Sequence, residues 1–122
     1  MDTLSTHVEF LLRTHDCVVL PGFGSFICNS VSARFSDDRH TIFPPGRSLA
    51  FNPMLSQSDG LLTSSIARKN GISFNAASRI VDDEIAHLRS SLHNEGSMRF
   101  GHIGIFKLND DGVPMLTADK IA

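Results

Sequence analysis

A four-residue pattern occurs twice in this sequence and limits the possible architectures more than anything else in it. Phe23-Gly24-Ser25-Phe26 and Ile103-Gly104-Ile105-Phe106 both read apolar, Gly, any residue, Phe, and each follows an apolar helical segment. Such an echo marks one supersecondary unit used twice, in a degenerate duplication. Two units that each leave an apolar face uncovered satisfy one another by packing about a pseudo-twofold axis. The 122 residues suit one compact body that buries roughly 65–70% of its unfolded surface. The expected arrangement is therefore a single domain of two half-units, residues 1–55 and 56–122, acting as a monomeric pseudo-dimer or exchanging halves in a homodimer.

Hydrophobic periodicity supplies the elements. Leu4, Val8, Leu11 and Leu12 form one stripe of a helix over residues 3–15, with Thr3 or Ser5 as N-cap. From Cys17 to Cys28 the chain is rich in β-branched and aromatic residues, and Pro21, Gly22 and Gly24 predict a bent strand. Residues 31–35 and 41–43 flank the polar tip Ser36-Asp37-Asp38-Arg39 as a hairpin, and residues 48–51 form a further extended piece. A helix capped by Ser58 or Asp59 carries Leu61, Leu62 and Ile66 and stops at Gly71. Ser73 opens a longer helix whose stripe is Ala77, Val81, Ile85, Leu88 and Leu92, with Ile80 alongside and Gly96 as its stop. Residues 98–108 read as strand, Asn109-Asp110-Asp111-Gly112 as a turn, and residues 113–117 as the returning strand.

Composition excludes several functions. No apolar run approaches the ~20 residues of a membrane span, and the first residues lack the basic and apolar regions of a signal peptide, so a cytoplasmic location is expected. Cys17 and Cys28 read as reduced and structural, since eleven residues of continuous strand would hold them roughly 35 Å apart. Gly22-Phe23-Gly24 is followed by neither Lys-Ser/Thr nor a helix, so it is a strand bend and not a nucleotide loop. Asp82, Asp83 and Glu84 diverge by ~100° each around a helix and cannot converge as acid and base. The six His show no metal-ligand spacing, and no Gly-x-Ser-x-Gly elbow exists. No catalytic, metal or cofactor site is expected.

The order of helix, turn at Asn70-Gly71-Ile72-Ser73, long helix, Glu95-Gly96 and a strand with Gly104-Ile105-Phe106 resembles the opening of an HU/IHF-type histone-like protein. Gly22-Phe23-Gly24-Ser25-Phe26, and then Pro44 through Pro53, is similar to the bent strand and returning arm strand of the same fold. The whole is closest to a bacterial family in which two partial HU units stand in tandem, often ahead of a membrane segment and a peptidoglycan-binding SPOR domain. The resemblance implies an α+β fold, with amphipathic helices under bent antiparallel strands. It also implies a module that engages double-stranded DNA through a β-arm and, in a longer parent chain, links nucleoid to cell envelope.

The residues that would carry such binding are Arg34, Arg39, His40 and Arg47 on the arm, with Arg68 and Lys69 at the end of the second helix. Against them stand a net charge of −2 and the acidic pair Asp37-Asp38 at the arm tip. A protein-interaction adaptor that keeps the scaffold without its basic saddle is thus the alternative reading. Seven Phe, at 10, 23, 26, 51, 74, 100 and 106, are read mostly as core.

Overall fold

The computed structural model describes residues 4–31, 34–35, 42–43 and 46–119, and between 30 and 47 it describes backbone alone. In chain order the elements are α1 (Leu4–Leu11), β1 (Cys17–Leu20), β2 (Gly24–Val31), β3 (Arg34–Phe35), β4 (Ile42–Phe43), β5 (Gly46–Asn52), α2 (Leu61–Asn70), α3 (Phe74–Glu95), β6 (Ser97–Phe100), β7 (Gly104–Leu108) and β8 (Pro114–Ala118). They form antiparallel sheets in the orders β1-β2-β5 and β6-β7-β8, with β3 and β4 as a two-stranded ribbon. None of the described helices is long and apolar enough to cross a membrane.

The helical expectations hold for physical reasons that are local. The five stripe residues of α3 are its five buried residues, the Ser73 side chain accepts from the Ala76 amide, and Gly96 closes the helix in the left-handed conformation. At α2 the carboxylate of Asp59 accepts from the Leu61 amide at 3.0 Å, although Gly60 occupies the cap position. The first helix is shorter than its periodicity suggests, giving way to turns after Leu11.

Two expectations fail together. Residues 17–28 are not one bent strand but a hairpin, in which Leu20 pairs with Gly24 and the Phe23 amide donates to the Leu20 carbonyl at 2.9 Å. Residues 98–108 turn back in the same way, with Phe100 paired to Gly104 and the Ile103 amide donating to the Phe100 carbonyl at 3.1 Å. A three-residue reversal with Gly22 or Gly101 at positive φ satisfies the ladder that a bent strand would leave open. The hairpin also overturns the cysteine argument. Cys17 pairs with Ile27, so Cys28 is one residue from its partner, and period-2 pleating puts the two thiols on opposite faces. Both are free; Cys28 is buried, but Cys17 is exposed and packs no core.

The duplication is visible in the fold as a shift of 80 residues. It carries Leu20↔Gly24 onto Phe100↔Gly104 and Cys17↔Ile27 onto Ser97↔Lys107. It also carries the bond from the Cys28 amide to the Asp16 carbonyl onto that from the Leu108 amide to the Gly96 carbonyl. By the same shift α1 corresponds to the C-terminal part of α3, with Val8 on Leu88 and Leu12 on Leu92, all four buried. The halves grip each other reciprocally. Glu9 of α1 accepts from the His102 amide at the second turn, and Arg89 of α3 donates to the Gly22 carbonyl at the first. This is the i-to-j and j-to-i exchange of a twofold interface, written within one chain.

Aromatic rings fill the seam. Phe26 and Phe106 are fully buried with centroids 5.8 Å apart, and Phe23, Phe51 and Phe100 all lie within 5.5 Å of Phe106. The repeated glycine is what lets the strands close on them. A Cβ on Gly104 would meet the Thr117 carbonyl oxygen and lie 2.9 Å from the Ala118 Cα, both backbone atoms that cannot swing away. Gly104→Ala is therefore expected to lower the midpoint of thermal unfolding by several degrees, read by circular dichroism, whereas Gly112→Ala, with open space around it, should suffer only its positive φ.

Not all Phe are core. Phe10 is 60% exposed and Phe74 51%, and Ile80 beside the α3 stripe is also exposed. Phe10 stands two residues from Val8, on the far side of a helix that turns 100° per residue.

Candidate nucleic-acid interface

The first and second hairpins differ in one respect that creates a surface. In the second half the β7–β8 ladder ends at Leu108↔Pro114, where the Asn109 side chain accepts from the amides of Asp111 and Val113 and closes a short turn. In the first half the β2–β5 ladder runs from Ser25↔Asn52 to Val31↔Gly46, and the pairs Arg34↔Phe43 and Phe35↔Ile42 continue it in the same register. The partner positions thus keep one register in both ladders, and residues 32–33 and 44–45, which join them, lie outside the described residues. At ~3.3 Å per residue, positions 25 to 31 of β2 alone span roughly 20 Å. A single arm thus leaves the two-sheet body, from the first half alone.

Arg34 lies on β3 and Arg47 on β5, both on this arm. Arg39 and His40 lie outside the described residues, as do Asp37 and Asp38. Arg68 and Lys69 form a separate group. They are exposed in the last turn of α2, where cations also complement the helix dipole. The principal neighbours of α2 are α1, α3 and β1, whereas β3 and β4 pack against each other.

The end of α2 borders a cleft of about 440 Å³ lined by His7, Phe10, Ser65, Arg68 and Lys69. His7, buried in α1, shares a 2.7 Å hydrogen bond with the Ser65 hydroxyl and so pins α1 to α2. Phe10 packs edge-on to the His7 ring at 6.4 Å. Sequence reasoning put Phe10 in the core and missed this grouping, although its phase against Val8 and Leu11 already turned it outward.

A second hollow, of about 580 Å³, lies where α1 and α3 meet β6 and the turn after it, with Leu88 and Phe100 among its apolar lining and Glu9, Glu84, His87 and His102 among its polar lining. Beside it Arg99 donates to Asp119 at 2.7 Å, and this hydrogen bond holds the Asp119 carboxyl below its ordinary range and the Arg99 guanidinium above its own. A lowered carboxyl favours the fold above its unfolded range and ceases to do so as pH falls through the folded value, but both groups are solvent-exposed and the effect is small. Asp82, Asp83 and Glu84 make no ion pair among the described residues, and no group of three or more His, Cys, Asp or Glu there could hold a metal ion.

Comparison with known families matches residues 1–59 to the CCDC81-like prokaryotic HU domain 1 and residues 60–113 to the CCDC81-like prokaryotic HU domain 2. Neither a curated protein nor a solved structure matches the chain. The two sheets, their helices and the 80-residue correspondence follow the same division, and the chain belongs to the CCDC81-like prokaryotic HU family as two of its domains in tandem.

Proposed function

We propose that the chain is a non-enzymatic module that engages double-stranded DNA through its one arm. The observation that carries this reading is the register that the β3–β4 ribbon shares with the β2–β5 ladder, with Arg34 on β3, Arg47 on β5, and Arg39 and His40 between β3 and β4 in sequence. A two-stranded ribbon of this width enters a DNA groove, and guanidinium groups along it contact phosphates and groove floor. Few phosphate contacts make binding weak and strongly dependent on salt. The tandem family resemblance extends the proposal to a link between nucleoid and cell envelope in a longer parent chain.

The halves complete one core, drawn from α1, both sheets, α2 and α3, so the proposed unit is a monomer built as a pseudo-dimer over residues 1–55 and 56–122. Light scattering should return a mass near 13.3 kDa, and twice that mass would indicate exchange of halves between chains.

A second reading has its own observation. The outer face of α3 exposes Ile80 in a hollow that it shares with Asp83 and Glu84, a surface that repels phosphate and suits a basic protein segment. Fluorescence anisotropy of a labelled duplex at 20 and 150 mM salt separates the two. Saturable binding that weakens steeply with salt supports the arm, and no binding at 20 mM salt overturns it in favour of the adaptor.

A further inference from the structure

We infer that the hollow between α1, α3 and β6 is the docking seat for an amphipathic helix of a partner protein, one that presents two apolar residues four apart with Ser or Thr just before the second. The seat goes beyond the DNA-binding reading and does not depend on the arm. Its template is the pseudo-twofold. The 80-residue shift exchanges β1 with β6 and α1 with the C-terminal part of α3, but it carries α2 to positions before Met1, so no element within these 122 residues repeats α2. The principal neighbours of α2 are α1, α3 and β1. Exchanged by the twofold they become α3, α1 and β6, the elements that border the hollow of about 580 Å³. The place that α2 fills on one side of the axis thus recurs on the other side as this hollow.

Burial follows the same exchange. Val18 of β1 and His7 of α1 are buried, whereas their counterparts in the hollow, Met98 and His87, are half-buried and exposed. His7 bonds Ser65, and one turn on, Phe10 shares a cleft with Arg68 and Lys69, so α1 and α2 run in the same direction. A helix seated likewise in the hollow sets its hydroxyl against His87 and its apolar pair against Leu88, Met98 and Phe100, as α2 buries Leu62 and Ile66. Its first turn then lies over Glu84, one turn back from His87 and the counterpart of the buried Leu4. Unpaired amides and the dipole at a helix start favour a carboxylate there. Glu84 makes no ion pair among the described residues, and the rim cation Arg99 is already engaged by Asp119. The partner helix therefore starts with neutral or basic residues, and its apolar face enters the hollow in the helix-in-groove manner.

The probe is a peptide copying residues 58–72, which carries the pattern Leu62, Ser65 and Ile66. Titrated into the whole 122-residue chain and followed by NMR of isotope-labelled methionine methyls, it should saturate and shift the Met98 resonance. Met54 and Met115, exposed and outside the lining of the hollow, should stay in place. Met98→Ser should weaken peptide binding at least about fivefold through lost apolar contact, and Glu84→Lys should weaken it several-fold by setting a cation against the helix start. A peptide with Leu62→Asp and Ile66→Asp should not bind, which tests the apolar pair without altering the protein. No saturation up to about 1 mM peptide, or equal binding of the doubly substituted peptide, overturns the inference. A shift of Met54 or Met115 without Met98, or exchange of the peptide into the place of α2 with Met98 unshifted, overturns it likewise. A chain mass that doubles with concentration and returns to 13.3 kDa in Glu84→Lys would assign the hollow to a second copy and overturn the partner. Duplex anisotropy is read in the same samples. Failure of duplex binding alone refutes the arm and leaves the seat standing, so the two readings fail separately.

Discussion

Val81→Asp should abolish the cooperative thermal transition of this protein. Val81 is 1% exposed on the inner stripe of α3, surrounded by the single core that both halves share. A carboxylate there either stays charged without a partner or takes up a proton at a cost, and either way the penalty is several kcal/mol. Total stabilities of domains this size are only about 5–15 kcal/mol. Ile80→Asp is the control. It adds the same carboxylate one residue away at a position 44% exposed, and its melting curve should stay near that of the unaltered chain. A cooperative transition at the unaltered temperature in Val81→Asp would refute the buried stripe, and unfolding of both variants would point to helix propensity and not burial.

The second large effect concerns affinity. Replacing Arg34, Arg39 and Arg47 together with Ala should weaken duplex binding on the order of tenfold or more at low salt, and should flatten the slope of log affinity against log salt by up to about 2.7, at ~0.9 per phosphate contact. A melting curve of the triple variant by circular dichroism checks that the fold is retained. Flattening without loss of fold is the signature of lost phosphate contacts. An unchanged slope would remove these guanidinium groups from the DNA interface and leave the outer face of α3 as the surface to pursue.

Much of the fold was legible because its rules are local. The phase of Ala77, Val81, Ile85, Leu88 and Leu92 named the buried face of α3 without error, and Ser73, Gly71 and Gly96 marked helix ends through the backbone groups those ends leave unpaired. The repeated Gly-x-Phe announced the two half-units, since Phe26 and Phe106 need a shared seam and Gly24 and Gly104 need room beside it. From sequence the reversal at residues 21–23 reads as a bend and that at 101–103 as unbroken strand, because β-propensity reports that a segment is extended and not where its hydrogen-bond partner lies.

Three features belong to the tertiary structure alone. The reciprocal contacts of Glu9 with the second turn and Arg89 with the first join residues 93 and 67 positions apart, and no pattern along the chain specifies such pairs. The unequal lengths of the two β-ladders, which leave one arm and not two, emerge only when the registers are set side by side. The cleft of Phe10, Arg68 and Lys69 exists because His7 and Ser65, 58 residues apart, bond across two helices. Sequence periodicity determined which face of each element would be dry. Which dry faces met, and therefore which polar and aromatic groups were brought together on the outside, was decided by packing, because burial is non-directional and only the close fit of particular side chains selects one partner surface over another.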